Sequence, residues 1–182
     1  SGPFPMRRLT PDARTESLQR ALAVEMPVAV GFNGLGYAVM MMSPADLEDF
    51  ATGFARAERL IGADEQPLSV EPHPTDQGVV LRVNLPASAL ARVAERVRHR
   101  VSESSCGLCG IENLEQALRP LPQVSQRSDA APQALFRAIN TLSDHQPLSR
   151  QTGAVHAAAL CAADGRILLV REDVGRHNAF DK

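Results

Sequence analysis

A chain of 182 residues and 19.6 kDa, 44% of it hydrophobic, has the size and composition of one ordinary globular domain or two small ones, which excludes fibrous and wholly disordered classes. Nineteen basic against 21 acidic residues leave a formal net charge of −2, so no basic excess points to nucleic acid or an anionic membrane as partner. Every basic residue except Lys182 is an arginine, which removes a GxxxxGK[ST] phosphate loop and any Schiff-base lysine in the body of the chain.

The longest apolar runs, such as 37–42 and 167–170, fall far short of the roughly 20 residues needed to cross a bilayer, so the expectation is a soluble protein with no membrane partner. Ser1-Gly2-Pro3 lacks the basic-then-apolar pattern of a secretion signal and reads as a vector remnant or a trimmed end. Three cysteines, two of them in one Cys-x-x-Cys, make a poor disulfide framework. A reducing, cytoplasmic setting is expected, with the paired thiols kept for chemistry.

Residues 1–20 are polar and without a sustained period, and read as an irregular N-terminal arm. Val24 to Phe32 is a strand candidate; Asn33-Gly34 tolerates the positive φ angles of a two-residue hairpin turn, and Leu35 to Met42 returns as the second strand. Ser43-Pro44 reads as an N-cap followed by proline at the first helical position, with Asp46 and Glu48 near the positive end of the dipole. Leu47, Phe50, Ala51, Phe54 and Ala57 keep helical spacing, and Gly62 supplies a stop.

Strand candidates at Leu68 to His73 and Gly78 to Leu85 lead to a helix from Pro86 to about Arg98. Arg92, Arg96 and Arg100 lie four apart, which suits either a solvated face or the docking of an anion. The proline-, serine- and glutamine-rich stretch from Arg119 to Pro132 reads as a linker. The expected organisation is therefore an arm over 1–20, an α+β domain over 21–122 carrying the Cys-x-x-Cys, a linker over 123–132, and a second unit over 133–182. That unit has a helix over Pro132 to Leu142, strands at Val155 to Ala162 and Arg166 to Arg171 around Asp164-Gly165, and a helix opening after Gly175. One helix, one hairpin and the start of another helix bury too little to stand alone, so this domain is expected to be incomplete.

Three places carry chemistry. In Ser104-Ser105-Cys106-Gly107-Leu108-Cys109-Gly110, two thiols separated by two residues can share a proton or form a disulfide, and the glycines admit another molecule's reactive group. No second Cys-x-x-Cys or close histidine pair completes a zinc site, so no metal is expected. A redox dithiol stays open, although the parallel strand that introduces a thioredoxin-like motif is missing.

The second place is Arg171-Glu172-Asp173-Val174-Gly175-Arg176-His177-Asn178, where five ionisable side chains crowd a strand end that turns into a helix. Arg176 and His177 suit a phosphate, and Glu172 and Asp173 suit the donor edge of a base or a sugar hydroxyl; an Arg–carboxylate network holding the turn is the other reading. The third place is His156, within Thr152 to Ala158, where a structural role and a binding role both fit. Cys161 is expected to pack as a small hydrophobe. A zinc deaminase site, which needs His-x-Glu followed by Pro-Cys-x-x-Cys, is absent.

The segments 104–110, 152–160 and 171–182 together closely resemble the FdhD family of formate dehydrogenase accessory sulfurtransferases, with a weaker likeness in the N-terminal hairpin and at Pro44 to Phe54. The resemblance implies a cytoplasmic sulfur carrier. A cysteine desulfurase would pass sulfane sulfur to Cys106 as a persulfide, with Cys109 assisting or resolving it. The sulfur would then pass to the molybdenum of bis-molybdopterin guanine dinucleotide before insertion into formate dehydrogenase. By the same resemblance Arg171, Glu172, Asp173, Gly175, Arg176, His177 and Asn178 are cofactor contacts, with His156 a further one; the second unit is an incomplete α/β domain of cytidine-deaminase-like fold; and the protein is a homodimer. A non-catalytic chaperone for the cofactor and apo-dehydrogenase, and a thiol–disulfide oxidoreductase, are the competing functions.

Overall fold

The computed structural model describes residues 3–98, 123–125 and 127–182. Cys106, Cys109 and Arg100 lie outside the described residues.

The opening segment is not irregular. Strands β1 (Pro3–Leu9) and β2 (Thr15–Ala21) pair antiparallel along their whole length, from Pro3 opposite Ala21 to Leu9 opposite Thr15. Alternation of Phe4, Met6 and Leu18 with polar residues is a strand signal, but too short and too interrupted by proline to stand out.

The core is a four-stranded mixed sheet in the order β4-β3-β6-β5, built from β3 (Met26–Phe32), β4 (Leu35–Met42), β5 (Ser69–Thr75) and β6 (Gly78–Asn84). The β3–β4 turn is the one Asn33-Gly34 was expected to make, both residues having positive φ, 51° and 81°. Strands β3 and β6 are parallel, Val28 opposite Val79, with β4, a helix and β5 between them in the chain. Such a pairing leaves no local sequence mark, because its partners are far apart in the chain.

Helix α1 (Leu47–Ala57) buries Leu47, Phe50, Ala51, Phe54 and Ala55 against one sheet face, where Val28, Val30, Phe32, Leu81 and Val83 wait with almost no exposure. Phe50 stacks on Phe54 at 5.3 Å, and Phe32 meets Tyr37 edge-on at 5.0 Å. Each buried phenylalanine contributes about 2–3 kcal/mol of transfer free energy. Helix α2 (Leu90–Arg98) follows one 3₁₀ turn and adds Val93 to the same core. Its arginines work inside the chain: Arg92 Nε donates to the Leu60 carbonyl at 2.8 Å, and Arg96 lies 3.9 Å from the Glu58 carboxylate, so both brace the end of α1.

Beyond the linker come α3 (Pro132–Leu142), a short helix α4 (Pro147–Thr152) that no sequence pattern announced, the antiparallel hairpin of β7 (His156–Cys161) and β8 (Ile167–Asp173), and helix α5 (Arg176–Asp181). Helix α5 lies directly on α1. A Cβ at Gly53 would stand 1.6 Å from the Asp181 carbonyl oxygen, so only glycine allows the two backbones this close. Among the described residues no helix is long and apolar enough to cross a membrane.

Candidate functional site

Among the described residues, a dense polar cluster lies at the corner where β8 turns into α5 and meets the β4–α1 loop. Asp173 has no exposure and Asn178 has 3%. The Asp173 carboxylate accepts the Gly175 N–H at 2.7 Å and the Asn178 amide at 3.2 Å on Oδ1. Its Oδ2 accepts the Ser43 N–H at 2.9 Å and pairs with Lys182 Nζ at 2.6 Å, neither charged side chain touching solvent. Lys182 spends its other donors on the carbonyls of Ser43 and Glu172, at 3.1 and 3.3 Å. Asn178 also donates to the Met41 carbonyl at 3.0 Å, and the Val174 N–H donates to Ser43 Oγ at 3.2 Å. A buried carboxylate with a cation and three N–H donors is a fully satisfied ion, the arrangement in which a buried charge is tolerated.

This explains why Ser43 is not the N-cap that the sequence suggested. Its hydroxyl and amide are committed to the Asp173–Val174 turn, and α1 starts later, after Asp46 in the left-handed region at φ 52° with no side-chain cap. Aspartate is among the few residues that enter that region at modest cost.

The neighbouring charges are bound up as well. Glu172 accepts the Leu148 and Ser149 N–H groups, one on each oxygen at 2.8 Å, and so caps the start of α4 from a distant strand. Arg171 Nε donates to Asp49 at 2.7 Å, with Asp46 3.9 Å away. Four of the expected contact residues, Arg171, Glu172, Asp173 and Asn178, thus have their side chains engaged within the protein, and Gly175 forms the turn. Arg176 is exposed at the first position of α5 and His177 beside it is half-buried. His156 is exposed on β7, in register opposite Asp173. The corner therefore offers Arg176, His177 and His156 outward while the rest of the motif holds it rigid. Lys182, which closes the 171–182 motif, belongs to the same construction, and so do Ser43, Asp49 and Gly53, of which only the glycine inside an otherwise regular amphipathic helix was a sign. Among the described residues no group of three or more His, Cys, Asp or Glu is placed to hold a metal.

Asp181, at the end of α5, is pushed up to about 6 from 3.8 by burial and then by the negative charge of Glu58. The folded state therefore favours its neutral form: this group's contribution is most favourable below the unfolded value and is lost as pH rises through about 6. Asp181→Asn is expected to gain stability relative to the parent chain as pH rises from about 4 to about 7. Urea midpoints across that range check it, and a difference that stays constant with pH rejects it.

The comparisons with known proteins agree with one another. The chain matches the FdhD/NarQ family over residues 23–182. It is 44% identical over 161 residues to the sulfur carrier protein FdhD of Variovorax paradoxus (strain S110), covering 88% of this chain and 58% of that protein. The protein of the same name from Xanthomonas campestris pv. campestris (strain B100) is 43% identical over 171 residues, covering 93% of this chain and 60% of its own length. The crystal structure of a proposed formate dehydrogenase accessory protein from Desulfotalea psychrophila superposes with a TM-score of 0.64 at 25% identity, over 98% of this chain and 65% of that one. The likeness includes the mixed α/β architecture with several sheets. The chain spans about three fifths of the length of the curated relatives it matches. With a match that runs through the core sheet, α1, the hairpin and the buried Asp173 corner alike, the chain belongs to the FdhD/NarQ family.

Proposed function

We propose that this chain is the sulfur-carrying part of a cytoplasmic accessory protein that delivers sulfur to the molybdenum cofactor of a formate dehydrogenase. The observation that carries the reading is the 44% identity to a protein named as a sulfur carrier, together with the Cys106-x-x-Cys109 segment in this chain. The thiolate of Cys106 attacks the terminal sulfur of a desulfurase persulfide; one S–S bond forms, one breaks, and the desulfurase thiolate leaves. Attack of the Cys109 thiolate on the resulting persulfide then releases hydrosulfide for the cargo and leaves a Cys106–Cys109 disulfide, so no outside oxidant is required. A thiol reductant has to reset the pair.

The cargo in this reading is bis-molybdopterin guanine dinucleotide, bound as a substrate. Arg176, His177 and His156 are the outward groups suited to its phosphates, while Arg171, Glu172, Asp173, Gly175 and Asn178 act by fixing the corner from which Arg176 and His177 project. The same reading takes 133–182 as the opening of a cytidine-deaminase-like domain, supported by its helix–helix–hairpin–helix order. A cysteine desulfurase and a formate dehydrogenase are the partners it requires.

Intact mass after incubation with a cysteine desulfurase and cysteine tests the proposal. The expected result is a gain of one or more sulfur atoms that a reductant removes, retained in Cys109→Ala and lost in Cys106→Ala. No gain on a folded sample favours a cofactor-binding chaperone, and an equal gain in Cys106→Ala rejects Cys106 as the carrier.

A further inference from the structure

Helix α1 covers the middle of the core sheet, and at its N-terminal end a groove of about 630 Å³ stays open between α1 and the edge strand β5. Leu47 and Val79 form its floor, at 9% and 7% exposure. Its far wall follows from the register of β5: Pro74 stands opposite Val79 and Pro72 opposite Leu81, so both rings lie on the helix side of the sheet, and both are exposed. Proline in an edge strand turns its nitrogen outward, where it has no hydrogen to donate. This stretch of edge therefore offers carbonyl acceptors without donors, which refuses a further strand but suits a side chain rich in N–H groups. The near wall is acidic, lined by Asp46, Glu48 and Asp49. Among the described residues one cation, Arg171, stands against these three carboxylates, and it is committed to Asp49. The positive end of α1 accounts for acidity in its first turn, but not for the wall of prolines that faces it.

We infer that this groove docks a segment of a partner protein that carries arginine beside a large apolar side chain. The guanidinium meets Asp46, Glu48 and the outward carbonyls of β5, while its aliphatic stem and the apolar neighbour lie along the proline rings over Leu47 and Val79. Charge complementarity selects this occupant, since an acidic segment is repelled by the near wall and a neutral one leaves its carboxylates to water. The groove is formed before anything enters it. Proline has no rotamers to freeze, so its wall costs little to order. Beneath it, a Cβ at Gly78 would stand 2.2 Å from the Pro27 carbonyl oxygen, a close approach that holds the start of β6 against β3. Arg171 reaches Asp49 from β8, so the groove adjoins the corner that presents Arg176 and His177. This inference goes beyond the sulfur-carrier reading and does not rest on it.

Isothermal titration calorimetry of the whole chain with the peptide acetyl-Arg-Leu-Arg-amide at low ionic strength reads the result. A Kd on the order of 0.1 mM is expected, weakened several-fold by about 0.5 M salt. The peptide acetyl-Glu-Leu-Glu-amide is expected not to bind, and acetyl-Arg-Gly-Arg-amide to bind several-fold more weakly. Asp46→Asn and Glu48→Gln each remove one exposed charge and are expected to weaken binding roughly three-fold singly and about ten-fold together. Asparagine keeps the left-handed backbone at position 46, so circular dichroism is expected to be unchanged. Glu95→Gln, on the exposed side of α2, is expected to leave the affinity as it was. A parent chain that does not bind up to millimolar peptide overturns the inference, as does equal binding of the glycine peptide or an equal loss in Glu95→Gln. Competition by millimolar magnesium at constant ionic strength gives the carboxylates to a cation, and affinity that falls as protein concentration rises gives the groove to a second copy; either overturns it. The peptide comparisons use the parent chain alone, so they decide the matter even where a variant misfolds.

Discussion

Lys182→Met is expected to destabilise the protein by about 3 to 5 kcal/mol, the cost of leaving a buried carboxylate without its cation. Asp173 and Lys182 face each other at 2.6 Å with no exposure on either side chain. The methionine keeps most of the volume, so the loss reports charge rather than packing. Three N–H donors still reach Asp173 in the variant, from Ser43, Gly175 and Asn178, and they set the lower end of the range. The double variant Asp173→Asn with Lys182→Met removes both charges and is expected to recover a substantial part of the loss, since the desolvation cost disappears with the attraction. Urea denaturation of parent, single and double variants measures the coupling. A single variant that costs less than about 1 kcal/mol, or a double variant as unstable as the sum of its parts, contradicts the account.

Gly53→Ala carries the other large effect. In an exposed helix this substitution stabilises by up to about 1 kcal/mol. Here the added methyl group would stand 1.6 Å from the Asp181 carbonyl oxygen and 2.7 Å from its carbon, and those are backbone atoms that no rotamer change moves aside. Helix α5 has to lift from α1, and because Asn178 and Lys182 tie α5 to the β4–α1 loop, the Asp173 corner is pulled with it. The expected net loss is about 3 kcal/mol, at the upper end of overpacking costs. Amide exchange locates it: protection is expected to fall at Ala179 and Lys182, whose N–H groups bond to the carbonyls of Gly175 and Asn178. Unchanged protection with a stability change under about 0.5 kcal/mol rejects the close approach as a constraint.

Gly53 meets Asp181 from more than 100 residues away, and the Asp173–Lys182 pair, close in the chain, is closed over by Ser43 from equally far, which separates what a reader of the sequence sees from what folding decides. The hairpin turn at Asn33-Gly34, the apolar stripe of α1, the strands around Asp164-Gly165 and the helix after Gly175 all express short-range rules: positive φ, a 3.6-residue period, a turn between alternating runs. They were legible, to within a few residues at their ends. The crowding of Arg171, Glu172, Asp173, Arg176 and His177 was legible too, as a cluster too costly to leave without partners. Its partners were not.

Composition, motif and local period by themselves determined that this is an ordinary mixed α/β chain with one dithiol segment and one charged corner, and the motifs determined its family. Only the tertiary structure decided that Ser43 abandons a helix cap to bind Asp173, that Glu172 caps a helix on the other side of a strand, and that the single lysine is an interior counter-ion. The reason is physical. Capping and periodicity are energies of neighbours along the chain, worth about 1 kcal/mol each and written in adjacent letters. A buried charge costs more than any of them and takes whichever donors the fold brings near, so its partners are chosen in space rather than in sequence.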